Sequence, residues 1–136
     1  MDKLLQMMGL ARRANLLLAG EEVVADAIAA HKARLVLLAA DASERTGKKI
    51  RQMAGETLPV LVLPAEKDAL GAALGLGSCA VAAVLDGGFA AKLAQMLAQS
   101  NPDYATVAER LNQKEAKRQR RKKEKPRIRK KSWDRG

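Results

Sequence analysis

The chain has 136 residues and a formal net charge of +10, with 48% apolar residues, 2% aromatic residues and one cysteine. This length suits one domain with an appendage. The lone Cys79 excludes an internal disulfide framework, and no apolar run is long enough to span a membrane.

The spacing of apolar residues predicts a helix over residues 2–14, with Arg12 and Arg13 at its end. "LLL" at 16–18 reads as a short strand, and Gly20 opens a second helix to about His31. "RLVLLAA" at 34–40 is apolar from Leu35 onward, the pattern of a strand buried on both faces. Asp41-Ala42-Ser43-Glu44 has the spacing of a capping box, opening a third helix to about Ala54. "PVLVL" at 59–63 is a strand with Pro59 at its first residue, where the missing donor matters least. "EKDALGAAL" predicts a short helix ending at Gly75, "CAVAAVLD" at 79–86 a strand, and "GFAAKLAQMLAQ" at 88–99 a further helix. Alternating helices and strands point to the α/β class, as a three-layer α/β/α sandwich around one small mixed sheet.

Asn101-Pro102 carries the cap and first-turn residues of another helix. Its apolar stripe of Tyr104, Val107, Ala108 and Leu111 fades from Lys114 onward, and Pro126 is expected to stop it. Charge divides at the same place. Residues 1–100 hold 11 Lys and Arg against 10 Asp and Glu, whereas residues 101–136 hold 14 against 5. A globular domain over 1–100 and a basic helical or disordered extension over 101–136 are therefore expected, because so charged a segment has little to bury. The start, "MDKLLQMMGLARR", lacks the basic-then-apolar order of a signal peptide, so a cytoplasmic location is expected.

Enzyme signatures fail on their spacing. "ASERTGKK" has Ala42 and Lys49 where a phosphate loop needs glycine and a hydroxyl. "LGAALGLG" follows a helix, whereas the dinucleotide fingerprint follows a strand. The single His31 reads as a helix-end residue and Cys79 as a small apolar one, so no metal site or Cys–His dyad with an orienting group can be assembled. No cofactor and no small-molecule substrate are expected.

The basic balance favours a polyanionic partner. Phe89, Tyr104 and Trp133 are too scattered to form a base-stacking platform, which favours structured RNA over single strands. Arg118, Arg120, Arg121, Lys122 and Lys123 form the densest part of an arm that would release counterions without reading sequence. Glu21 and Glu22 stand at a helix opening, where the macrodipole stabilises each by roughly 0.3–1 kcal/mol. A carboxylate there can also accept from the N1–H and N2–H₂ of an exposed guanine. Phosphate repulsion of about 1 kcal/mol at 4 Å in water is smaller than a good bidentate base contact of about 1–3 kcal/mol.

Taken together, "GLARRANLLLAGEEVVADAI", "KARLVLLAADAS", "PVLVLPAEKDALGAALG" and the last apolar strand resemble the ribosomal L-seven-Ae / L-thirty-e family over about residues 4–97, most of all its bacterial YlxQ-type branch. The resemblance implies an α/β/α sandwich that binds kink-turn RNA, a bent helix with tandem sheared G·A pairs. It implies that Gly20, Glu21, Glu22 and Val23 occupy the segment that reaches guanine edges. Gly77, Ser78, Cys79 and Ala80, with Leu76, would form the loop that packs over extruded bases. Glu22 stands where the family typically has Asn, Val23 where it has Glu, and Asp26 where it has a phosphate-contacting Lys. Arg12, Arg13, Lys32 and the arm are then expected to supply phosphate contacts.

The resulting expectation is a non-enzymatic, monomeric, ribosome-associated protein that recognises kinked RNA through the domain and strengthens binding with the arm. The alternative is a protein-interaction adaptor tethered to RNA or ribosome only by its basic tail. No membrane partner is expected.

Overall fold

The computed structural model describes the backbone of residues 2–135 and the side chains of residues 3–121. Helices and strands alternate as α1 (Asp2–Arg13), β1 (Leu17–Ala19), α2 (Glu21–Ala29), β2 (Leu35–Leu38), α3 (Glu44–Ala54), β3 (Val60–Val62), α4 (Lys67–Ala73), β4 (Val81–Val84), α5 (Gly87–Ser100) and, after a 3-10 turn at Pro102–Tyr104, α6 (Ala105–Arg135).

The four strands form one mixed sheet in the order β1-β4-β2-β3. β4 is antiparallel to both its neighbours, β1 and β2, while β2 and β3 are parallel. The central strands β2 and β4 are buried along their whole length, which explains their unbroken apolar sequences. The two-residue period of a strand sends alternate side chains to opposite faces. Val36 and Leu38 meet Val24 and Ile28 of α2 and Ile50 of α3. Leu35 and Leu37 face the larger cluster, with Met8 of α1, Leu70 of α4 and Leu93 and Leu97 of α5. The result is the three-layer α/β/α sandwich.

The helix entries differ from the expected one at 41–44. Ser43 is the N-cap of α3, and its Oγ accepts from the Thr46 N–H at 3.1 Å. Asp41 is two residues too early for that role. Its carboxylate reaches across the chain and accepts from the Lys67 N–H at 2.7 Å, in the first turn of α4. Glu66, the formal N-cap of α4, makes no side-chain cap bond, so Asp41 supplies the acceptor that the helix needs.

The C-terminal elements complete the sheet. Asn101 ends α5 and caps the 3-10 turn, accepting from the Asp103 N–H at 3.1 Å. The turn places the Tyr104 hydroxyl against the outer edge of β3, where it accepts from the Val62 N–H at 3.0 Å. α6 then runs back along α5, with Ala108 and Leu111 buried in the larger cluster. Between Lys114 and Arg121, where the stripe gives out and a helical or disordered extension is expected, the chain is helical. Glu115 accepts there from Arg118 at 2.9 and 3.1 Å and from Gln119 at 3.0 Å, and its carboxylate lies against Gly87 and Gly88 at the start of α5. Side chains beyond Arg121, those of Lys122 and Lys123 among them, lie outside the described residues, but the helical backbone of α6 runs on through Pro126 to Arg135, so the stop expected at Pro126 is not made.

Candidate nucleic-acid interface

The end of the sheet where β1 and β2 finish and β4 begins gathers most of the sequence-nominated residues. Gly20 is the hinge between β1 and α2. Its φ of 112° and ψ of 144° lie in a region that a side chain opposes, and its N–H donates to the Val81 carbonyl at 3.0 Å. That bond ties the opening of α2 to the first residue of β4, and so to the loop that precedes it.

The loop is anchored from three sides. Leu76 N–H donates to Gly71 O at 2.7 Å, Cys79 N–H to Lys67 O at 3.0 Å, and Ala39 N–H to Ala80 O at 2.9 Å. Gly71, on α4, permits the approach. A Cβ there would stand 2.6 Å from Ser78 Cα, closer than carbon atoms tolerate. Gly77 and Ser78 are exposed, Ala80 is half-buried, and Cys79 is buried. The Cys79 thiol donates to the Val81 carbonyl at 3.2 Å. Burial pushes its pKa up, opposed by bonds to the Val81 and Gly20 backbone and by the nearby Arg12 charge. Cys79 is thus a packed, protonated anchor, and the loop offers a ligand its backbone and Ser78.

The two neighbouring glutamates diverge. Glu21 turns toward α3, with Oε1 3.8 Å from Lys49 Nζ, a surface pair worth at most about 1 kcal/mol. Glu22 and Val23 are exposed, Val23 to 45%. They present a carboxylate and an apolar patch side by side at the helix opening. Arg12 and Arg13 line a groove between α1 and residues 72–75, the segment that leads into the loop. The structure therefore brings together Arg12, Arg13, Gly20, Glu22, Gly77, Ser78 and Ala80, with Glu21 and Cys79 as supports.

Other nominated residues lie elsewhere. Lys32 follows the far end of α2, about 13 Å away at 1.5 Å per residue. It is exposed, past a helix exit where His31 has a φ of 58° and Lys32 N–H donates to Ala27 O at 2.9 Å. Arg118 and Arg121 lie at that same end, lining a groove with His31 and Arg34, and Arg120 is exposed beside them on α6. Asp26 is exposed on α2. Sequence reasoning missed Gly71, whose signal was the glycine-rich "LGAALGLG", and Asp41, whose partner is 26 residues away and left none.

Among the described residues, no polar or charged side chain is buried, no three His, Cys, Asp or Glu converge as a metal site, and no helix is long and apolar enough to cross a membrane.

A glycine-entered helix set beside an anchored loop, at one end of a mixed sheet covered by helices on both faces, defines the class of α/β/α sandwich. The family model described as ribosomal protein L7Ae/L30e/S12e/Gadd45 matches residues 2–94, and the chain belongs to that family. It is 36% identical over 91 residues to the protein named RNA-binding protein YlxQ of Bacillus subtilis strain 168, covering 67% of this chain and 91% of that one. Among solved structures, a protein of unknown function from Bacillus halodurans is 40% identical, with a TM-score of 0.65 over 70% of this chain and 96% of that one. A 15.5 kD RNA binding protein of Giardia lamblia, 20% identical, shares the fold at a TM-score of 0.57 over 68% of this chain and 82% of that one.

Proposed function

We propose that this protein binds structured RNA without catalysing a reaction, and that the opening of α2 with the loop at 76–80 is the surface that meets a kink-turn-like helix. The observation that carries this is the Gly20–Val81 bond, which makes one surface of two segments distant in sequence. The similarity to a protein named for RNA binding supports the same reading. Glu22 is the acceptor for guanine N1–H and N2–H₂, since it is exposed while Glu21 is engaged by Lys49. Arg12 and Arg13 hold adjacent phosphates and offset the repulsion of a carboxylate near the backbone. The loop backbone and Ser78 pack over a base turned out of the stack. Association with a ribosome follows for whichever ribosomal RNA segment carries such a kink.

The test is a pair of titrations of the full chain at fixed salt. One RNA carries tandem G·A pairs beside a three-nucleotide bulge, and in its control those pairs are Watson–Crick. A preference of about ten-fold or more for the kinked RNA is expected, equivalent to roughly 1.4 kcal/mol, within the range of one good base contact. Equal affinity for both RNAs overturns recognition by this surface. Binding to neither, together with salt-insensitive capture of a protein, places the adaptor alternative first.

A further inference from the structure

The opposite end of the sheet holds a groove of about 570 Å³ between the exits of α2 and α3 and the outer length of α6. Ile28, Leu58 and Leu111 give it an apolar floor. Its cations come from two places in the chain: Arg34 before β2, and Lys114, Lys117, Arg118 and Arg121 on α6. Val107 and Leu111 set one helical stripe of α6 on the core, and Lys114, Arg118 and Arg121 continue that stripe at alternating steps of three and four. The face that buries apolar side chains over its first turns thus lines a concavity with charge over the next.

Five fixed cations share this groove with one carboxylate, Glu115, and Arg118 holds that carboxylate through two hydrogen bonds. Like charges gathered around a concavity with low-dielectric walls raise its potential and draw in a polyanion. The groove faces away from the Glu22 surface. Gly20 N–H bonds to Val81 O and Arg34 N–H to Val84 O at 2.7 Å, so the two sites begin at opposite ends of β4, about 10 Å apart along the strand. Arg121 is carried about 25 Å along the helix from Tyr104, at 1.5 Å per residue, and Tyr104 is fixed beside Val62.

We propose that this groove is a second RNA site, which takes the phosphate backbone of a helix without reading its sequence, so that one molecule holds two RNA segments at opposite ends of its sheet. The inference rests on the protein being an RNA binder, and does not require guanine recognition by Glu22. The lining contains no Phe, Tyr or Trp, and its one ring, His31 at the exit of α2, is too little for a stacking platform, which fits backbone rather than base contact. Residues 114–121 of α6 are polar or charged on every side apart from Ala116, so no apolar face is available to enter a lipid surface.

The experiment uses the full chain and two labelled RNAs: a plain blunt duplex, and the bulged stem with tandem G·A pairs. Arg34→Glu/Lys117→Glu reverses two exposed groove cations and leaves the Arg118–Glu115 pair in place. Arg34→Gln/Lys117→Gln is the milder companion, and circular dichroism checks that both fold. About a ten-fold loss of affinity for the plain duplex is expected in the reversed variant, a smaller loss in the neutral one, and a change within about two-fold for the bulged stem. Wild-type protein should also bring the two RNAs together, read as energy transfer between their labels. One-for-one competition between the two RNAs overturns the proposal, as does an equal loss for both RNAs or no loss for either. Binding to vesicles of anionic lipid in the absence of duplex binding overturns it as well. A wild type that fails to prefer the bulged stem over its Watson–Crick control defeats the reading of the Glu22 surface alone, because the plain-duplex titration still decides the groove.

Discussion

Glu21 and Glu22 are chemically identical and adjacent, yet one is held by α3 and the other faces solvent. Glu22→Ala should therefore weaken binding to the kinked RNA by about 1–3 kcal/mol. Glu21→Ala should change it by less than about 0.5 kcal/mol, and parallel titrations of the two variants separate these outcomes. Gly71 provides a test from behind the surface. Gly71→Ala places a methyl group against the Ser78 backbone, at a cost of about 1–3 kcal/mol of stability through strain. Urea unfolding reads that cost, and a larger loss of kinked-RNA binding than of plain-duplex binding reads the shift of the loop. The glutamate pair was legible as a feature of the sequence, but its division was not. Which carboxylate meets Lys49 depends on how α2 packs against α3, and helical spacing alone does not contain that. Gly71 was visible only as part of a glycine-rich run, because its reason is a backbone 7 residues further on.

Elements were legible where burial is continuous or strongly periodic. The order of helices and strands follows the sequence pattern from α1 to α5. The strands are shorter than their apolar runs: 34–40 yields Leu35–Leu38 and 79–86 yields Val81–Val84. The Ala39–Ala80 bond still continues the register of β2 and β4, whereas Ala40 leaves it and donates to the Ala65 carbonyl at 2.8 Å. The placement of β4 between β1 and β2 was not legible, since pairing partners across tens of residues leave no local trace. Asp41 belongs to the same class. Its bond to Lys67 N–H caps a helix in which it has no place in sequence, so Asp41→Ala should cost about 1 kcal/mol, as N-cap losses do. Ser43→Ala should cost a similar amount through α3. In each case the urea midpoint is expected to fall with the slope unchanged.

At the scale of the whole molecule, the family match ends at residue 94, but the packed structure does not. Ala108 and Leu111 are buried against the same cluster as Leu93 and Leu97. Leu111→Ala should therefore destabilise the entire protein by about 2–3 kcal/mol, whereas Asn112→Ala, exposed on the same turn, should stay within about 0.5 kcal/mol. Thermal unfolding followed by far-UV circular dichroism distinguishes them. The apolar stripe from Tyr104 to Leu111 was legible as amphipathic. Its destination was not, because a stripe specifies that something is covered and leaves open what. The charge step near residue 101 marks a change of composition, and the structure carries the core past it, through the 3-10 turn and the first two turns of α6.

The Tyr104 hydroxyl on Val62 has a consequence for how the protein is made. Chains are synthesised from the N-terminus, and domains generally fold as units. β4 lies between β1 and β2, so the sheet cannot assemble until residue 84 has been made. Even then the outer N–H of Val62 stays unsealed for a further 20 residues of synthesis. An emerging chain passes through a stage with an open strand edge, the kind of template on which neighbouring chains pair. A message cut between codons 84 and 104 would release products frozen at that stage. Such fragments should partition to the insoluble fraction, while those extending past Leu111 stay in solution. The last apolar turns of the helical hairpin thus act as a completion signal, closing the sheet only once the segment that follows its last strand has been delivered.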